Sequence, residues 1–112
     1  MPRYLISFDD GAMTFPEEDL PAVAEASRAV VRAAKEAGVW IFGGGLQRQQ
    51  AAVVATDGTV SDGPFPETKA VIGGFSIIEV PTREEALAWA ARMAEGCRCA
   101  QEVREIMYDP ES

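Results

Sequence analysis

The 112-residue sequence predicts an α+β fold in which two helices cover one face of a sheet. Three observations carry that prediction. Two segments repeat apolar residues at helical spacings, and both open on acidic residues. Short β-branched and aromatic runs precede, separate and follow them. Those runs also carry apolar residues on both faces, Leu5 against Ile6 and Ile77 against Ile78. At 47% hydrophobic and 25% charged, the chain can form a buried core. Its length suits a single domain over residues 1–112.

Arg3 to Phe8 reads as the first strand, with Tyr4, Ile6 and Phe8 on one face. Asp9-Asp10-Gly11 ends it with turn chemistry. Pro16-Glu17-Glu18-Asp19 then opens a helix, its acids suited to the positive end of the helix dipole, with Pro21 in the first turn. Leu20, Val23, Ser27, Val30, Val31 and Ala34 share one face, and Gly38 stops the helix after Ala37.

Val39 to Phe42 is the second strand, released into Gly43-Gly44-Gly45 as a flexible exit. Ala51 to Ala55 is the third, followed by a tight turn at Thr56-Asp57-Gly58. The stretch SDGPFPETKAVIGGF, Ser61 to Phe75, reads as a loop entering a strand over Gly74 to Val80. Thr82 and Glu85 have the spacing of a capping box on the second helix, which turns Ala86, Trp89, Ala90 and Met93 inward until Gly96 closes it. Cys99 to Met107 reads as the last strand, and Tyr108 to Ser112 as a frayed tail.

The resulting order, β-α-β-β-(β)-α-β, is the ferredoxin-like βαββαβ sandwich. Its second sheet face would expose more apolar surface than a soluble monomer normally tolerates. A homodimer that buries this face is therefore expected.

The net charge is −8 and the pI near 4.4. An acidic surface repels phosphate backbones and anionic lipid, which argues against nucleic-acid and membrane partners. No apolar run approaches the roughly 20 residues that span a bilayer, and MPRYLISFDD lacks signal-peptide features. A cytoplasmic protein is expected. Cys97 and Cys99 read as reduced thiols in or beside a strand, since residues two apart sit awkwardly for a disulfide. With no His and two Cys, no metal or other cofactor is expected. Without imidazole, acid–base chemistry would rest on a retuned carboxylate, Lys or Tyr. Gly43-Gly44-Gly45 lacks the Lys-Ser/Thr continuation of a phosphate-binding loop, and Asp9-Asp10 point apart as a solvated turn.

The segment from Ser61 onward supplies the site candidates. Gly63 would take a φ that other residues resist, Pro64 would fix the next, and Asp62 would cap the turn while Phe65 anchors it in the core. Alternatively Asp62 is a pocket carboxylate, with Lys69 the nearest cation in sequence, and the two hold opposite ends of a polar ligand. Ser27, the polar residue on an apolar helix face, either permits close packing by bonding a carbonyl one turn back or points into a cavity. Arg48, in a polar Gln47–Gln50 loop, could reach an anion.

Asp62-Gly63-Pro64-Phe65, Glu67-Thr68-Lys69 and Gly73-Gly74-Phe75, in that order, resemble the YCII-related family in the subgroup named for its DGPF motif. Ala37-Gly38, Leu46-Gln47, Glu85-Ala86-Leu87 with Trp89-Ala90, and Val103 to Met107 extend the likeness over nearly the whole chain. The resemblance implies a ferredoxin-like fold pairing into a dimeric α+β barrel. It also implies a small-molecule enzyme with an acid–base His on its first helix, or a regulatory companion of sigma-factor-type transcription systems. The position that carries His in the family falls on Ser27, which cannot act as a base. The expectation is a small-molecule pocket formed by Ser27, Asp62, Gly63, Pro64, Phe65, Lys69 and Phe75, serving an unidentified enzyme activity. A non-catalytic module with a regulatory protein partner is the alternative.

Overall fold

The computed structural model describes residues 1–47, 51–65 and 71–112. Strand β1, Arg3–Asp9, lies at the centre of a four-stranded sheet. Around it run β2, Trp40–Gly45, β5, Ile72–Glu79, and β6, Glu102–Glu105, in the order β2-β5-β1-β6 with every neighbour antiparallel. That order and alternation define the ferredoxin-like α+β arrangement. Two further strands, β3, Ala52–Val54, and β4, Val60–Asp62, form a separate hairpin.

Register determines which side chains meet the helices. Tyr4 stands opposite Ile78, and Ile6 between Ser76 and Val103, so this face is continuous across three strands. Helices α1, Leu20–Glu36, and α2, Arg83–Cys97, pack on it. Tyr4, Ile6, Ile78, Val80, Ala86, Ala90 and Met93 form the buried cluster, each less than a tenth exposed. Removing any of the larger aliphatic members would cost about 2–5 kcal/mol through lost burial and the cavity left behind.

A single 3-10 turn, Glu17–Asp19, leads into α1, and Pro21 occupies its first turn as expected. Val23 and Ala34 are buried and Ser27, Val30 and Val31 half-buried, whereas Leu20 is 53% exposed. Leu20 is the first residue of the helix, a turn before the buried Val23. Gly38, at φ +76, turns the chain out of α1. Thr82 caps α2 by accepting the Glu85 backbone N–H at 3.2 Å.

Gly96 does not close α2. It is buried against α1, where an added Cβ would stand 3.1 Å from the Ala26 carbonyl oxygen, so its small size is used for helix approach. The helix ends one residue later, and Arg98 takes the left-handed conformation that Gly usually supplies. Its guanidinium lies 2.9 Å from the Asp19 carboxylate, tying the end of α2 to the start of α1.

Three strand expectations also shift. Gly43-Gly44-Gly45 belongs to β2, because Gly43 has no Cβ to strike the Phe75 carbonyl oxygen of β5. The last strand is shorter than Cys99 to Met107, since Cys99 is occupied by the helix cap, its N–H bonding the Ala94 carbonyl at 3.2 Å. Val60 to Asp62, read as loop, is β4: the turn at Gly58 returns the chain so that Val54 faces Val60 and Val53 faces Ser61.

Among the described residues no helix covers the second face of the sheet. Half-buried Leu5 and Ile77 lie there beside exposed Ile41, Phe42 and Ile106. Phe42 is 62% exposed and its ring sits 5.9 Å from that of Phe75. The β3–β4 hairpin projects from the body, and the radius of gyration, 15.6 Å, exceeds the roughly 13 Å of a compact chain this long.

Candidate functional site

Beneath the middle of α1, beside Phe8 of the sheet, lies a cavity of about 70 Å³. Its apolar wall includes Phe8, Val30, Val31 and Met93, and its polar atoms come from Ser27, Ser76, Cys97 and Gln101; Phe75 borders it through its backbone, since pairing with Ser7 turns its ring to the open face beside Phe42. Of the residues singled out in the sequence, Ser27 and Phe75 meet here. Each is placed by ordinary folding physics. Ser27 lies one turn from buried Val23 on the inner face of α1, and Phe75 borders a β5 position where Gly74 leaves room for the Phe8 ring.

Ser27 Oγ donates to the Val23 carbonyl at 2.9 Å, the bond one turn back that its helix position favours. The same oxygen lies 3.4 Å from Cys97 Sγ. A hydroxyl has one proton, and that proton is committed to Val23, so Cys97 donates its thiol proton to Ser27. Among the described residues no basic side chain contacts Ser27, so none of them activates its hydroxyl as a nucleophile. The soft nucleophiles of the site are the thiols.

Cys99 follows directly. Gln101 Nε2 lies 3.5 Å from its sulfur and 3.4 Å from its carbonyl oxygen, and Gln101 also borders the cavity. Burial pushes the Cys99 thiol above the ordinary range, and nearby Cys97 pushes it further, with the Gln101 contact partly offsetting both. Cys99 is thus held in its protonated form.

The DGPF segment does not join this cavity within the chain. Asp62 ends β4 and is exposed, and its carboxylate bonds no backbone N–H among the described residues, so it does not cap the turn. Gly63 has no positive φ; it is there because Val53 and Ala51 stand 3.2–3.3 Å from where a Cβ would be. Its N–H bonds the Ala51 carbonyl at 3.0 Å, which closes the base of the hairpin. The Gly63–Pro64 peptide is cis, and Pro64 is exposed. Phe65 is 62% exposed and anchors no core, since the hairpin that carries it packs against neither helix to any extent. Lys69, with Glu67 and Thr68, lies outside the described residues, as does Arg48.

Sequence reasoning missed Cys97, Gln101 and Met93 as partners of Ser27. The signal was present: Ala86, Ala90, Met93 and Cys97 continue one helical face, which the supposed stop at Gly96 cut short. A second, wider concavity of about 660 Å³ opens on the uncovered sheet face, bordered by Arg3, Ile41, Ile77, Glu79, Ile106 and Tyr108. It has exposed terminal residues for a rim, and its polar groups are the Arg3–Glu79 ion pair, 2.9 Å from Nε to carboxylate, with Glu105, Asp109 and Ser112 spread around it. Converging polar side chains favour the smaller cavity as the ligand site. Among the described residues no cluster of three His, Cys, Asp or Glu could hold a metal, and no helix is long and apolar enough to cross a membrane.

Sheet order, helix placement and the cavity under α1 define a ferredoxin-like α+β protein with a small buried site. Residues 3–108 match the YCII-related domain, and the chain belongs to that family. The fold is shared with 5-chloro-2-hydroxyhydroquinone dehydrochlorinase (TftG) from Burkholderia phenoliruptrix AC1100, solved with 2,5-dihydroxybenzoquinone. The TM-score is 0.54 at 16% sequence identity, covering 99% of this chain and 98% of that one. Comparison with curated proteins gives no match.

Proposed function

We propose that this protein is an enzyme acting on a small organic molecule, with the cavity bordered by Ser27, Cys97 and Gln101 as its site. The observation that carries this reading is the convergence of hydroxyl, thiol and amide groups on one apolar-walled cavity beneath α1. Single polar residues on helix faces are common. Three of different chemistry, from α1, α2 and the approach to β6, are a built environment. At about 70 Å³ the cavity admits the leading edge of a ring or a few waters, not a whole drug-sized molecule.

TftG, of the same fold, is named for the loss of chloride from a hydroxylated ring, and a dihydroxybenzoquinone occupies its crystal. Hydroxylated aromatic and quinone compounds are therefore the first probes for this chain. Ser27 stands where the family resemblance places an acid–base His, so the reaction here runs without imidazole and draws on its thiols instead.

The reading includes a homodimer formed through the open sheet face, supported by the exposure of Ile41, Phe42, Ile72 and Ile106. Asp62, Gly63, Pro64 and Phe65, with exposed Val54 and Val60 beside them, belong in this reading to the contact with the second copy. A thermal-shift screen of hydroxyquinones and hydroquinones, on wild type and on Ser27→Leu, tests the site. A saturable rise in Tm that Ser27→Leu abolishes supports it. No saturable shift across the panel, or an equal shift in the filled variant, overturns it.

A further inference from the structure

The sequence reading takes Cys97 and Cys99 as reduced thiols in or beside a strand, two residues apart and awkward for an unstrained disulfide. The structure places them elsewhere. Cys97 is the last residue of α2, and Arg98 between the two thiols is left-handed at φ 56, ψ 39. The distance between Cα atoms two residues apart depends on the φ and ψ of the residue between them alone. These angles are close to the mirror image of an α-helical pair, and mirror images share their distances. The two Cα atoms therefore stand about 5.4 Å apart, the i to i+2 separation of a helix. An extended residue at Arg98 would open that to about 6.6–6.8 Å. Disulfides span roughly 4.4–6.8 Å, most often about 5.5–6 Å, so the left-handed cap moves the pair from the edge of the range to its middle.

Three further observations agree with this placement. The cap is fixed, since the Arg98 and Cys99 N–H groups both bond the Ala94 carbonyl and the Arg98 guanidinium holds Asp19 at 2.9 Å. The thiols sense each other, because the Cys97 charge raises the Cys99 pKa. Bridging also strands no polar partner. Ser27 keeps its 2.9 Å bond to Val23 when the Cys97 proton leaves, and the Gln101 amide keeps the Cys99 carbonyl.

We propose that Cys97 and Cys99 form a reversible dithiol–disulfide site at the C-terminal cap of α2, with small-molecule disulfides as its oxidising co-substrate. Cys97, half-buried at the last position of α2, is the thiol that meets the co-substrate. Its thiolate attacks one sulfur of the small disulfide, whose S–S bond breaks. A mixed disulfide forms on Cys97, and one small thiolate leaves and takes up a proton. Cys99, normally protonated, then gives its proton to solvent and attacks Cys97 Sγ, and the second small thiolate leaves and takes up a proton. Two protein thiols are oxidised by two electrons, and one small disulfide is reduced to two thiols. Closing the bridge takes the Cys97 S–H from the cavity wall, so the oxidation state of the pair sets which donors a ligand beside Ser27 would meet. The bridge itself follows from the cap geometry and does not rest on the proposed ligand site.

The test is mass spectrometry of the full chain equilibrated with oxidised and reduced glutathione, then alkylated with N-ethylmaleimide, in native buffer and in urea. In native buffer, as the ratio becomes oxidising, the wild type is expected to lose both alkylatable thiols, retain no glutathione and remain a single chain on a non-reducing gel. Cys97→Ser and Cys99→Ser cannot close the bridge and are expected to keep at least one glutathione or alkylated thiol. The equilibrium for bridging is expected to be more favourable in native buffer than in urea. Retained glutathione on the wild type, chain-to-chain disulfides, unreacted thiols, or a bridge favoured only in urea would each overturn the proposal.

Discussion

Cys97 Sγ lies 3.4 Å from Ser27 Oγ, although the two residues are 70 positions apart in sequence. That contact joins α1 to α2 at the wall of the cavity. Ser27 gives its proton to Val23, so the thiol is the donor, and the pair is a hydrogen-bonded link rather than an activated nucleophile with its base. Removing the hydroxyl in Ser27→Ala should cost about 0.5–1.5 kcal/mol, the range of one partly buried hydrogen bond. Urea unfolding of the variant beside wild type measures it. A loss above about 3 kcal/mol would mean that Ser27 carries more of the packing than its contacts account for.

Gly96 makes the sharper stability prediction. Alanine there gains roughly 1 kcal/mol of helix propensity in an unconstrained helix. Here its Cβ would meet the Ala26 carbonyl oxygen at 3.1 Å, and that backbone atom of α1 cannot rotate away. The helices must separate, and Gly96→Ala should lower stability by about 1 kcal/mol net, with Gly96→Val losing more. An increase in the denaturation midpoint for Gly96→Ala would show that α1 and α2 give way at little cost.

The open sheet face predicts an association equilibrium. Phe42 is exposed beside Phe75 and Ile41, so Phe42→Asp would place a charge in the middle of the proposed contact. Sedimentation velocity should find the wild type as a dimer and Phe42→Asp as a monomer with unchanged circular dichroism. A dimer unaffected by this change would put the contact elsewhere, and a monomeric wild type would remove it.

The Arg3–Glu79 pair sets a pH dependence. The hydrogen bond from Arg3 holds the Glu79 carboxyl below its ordinary range, with the Arg3 charge adding to it and burial opposing. A carboxyl depressed in the folded state adds stability above its unfolded pKa, about 4.3, and that stability is lost as pH falls through the lower folded value. Arg3→Met should therefore lose less stability than wild type between about pH 5 and pH 3. The difference should be small, because the Arg3 side chain is half exposed, Glu79 is only partly buried, and solvent screens the pair. Parallel acid titrations followed by tryptophan fluorescence compare them. Identical acid curves would show that the pair has no linkage to folding.

The sequence was readable where periodicity and capping acted together. β1, α1, the Thr82 cap and the ferredoxin-like order followed from Tyr4-Ile6-Phe8 alternation, Val23-to-Ala34 spacing and the Thr82–Glu85 pair. It misled where one residue type serves two purposes. Gly96 looked like a helix stop and is a close-packing contact, while Arg98, a poor candidate for φ > 0, makes the real stop. β4 was hidden because three residues with a single large apolar side chain, Val60, run straight into Asp62-Gly63-Pro64. Of the residues the sequence offered for a site, Ser27 and the backbone of Phe75 border the cavity. Its other polar groups come from α2 and the turn after it, distant in sequence and recognisable only once the two helices are laid side by side.

Methyl NMR tests the central claim, that the cavity beneath α1 is the ligand site, most directly. The wild-type protein, labelled at valine and methionine methyl groups, is titrated with 2,5-dihydroxybenzoquinone and related hydroxylated rings. Saturable shifts at Val30, Val31 and Met93, with Val54 and Val60 of the hairpin unmoved, are the predicted result. Shifts confined to the hairpin or to Met1 and Met107 at the open face, or no saturable shifts at all, would contradict it.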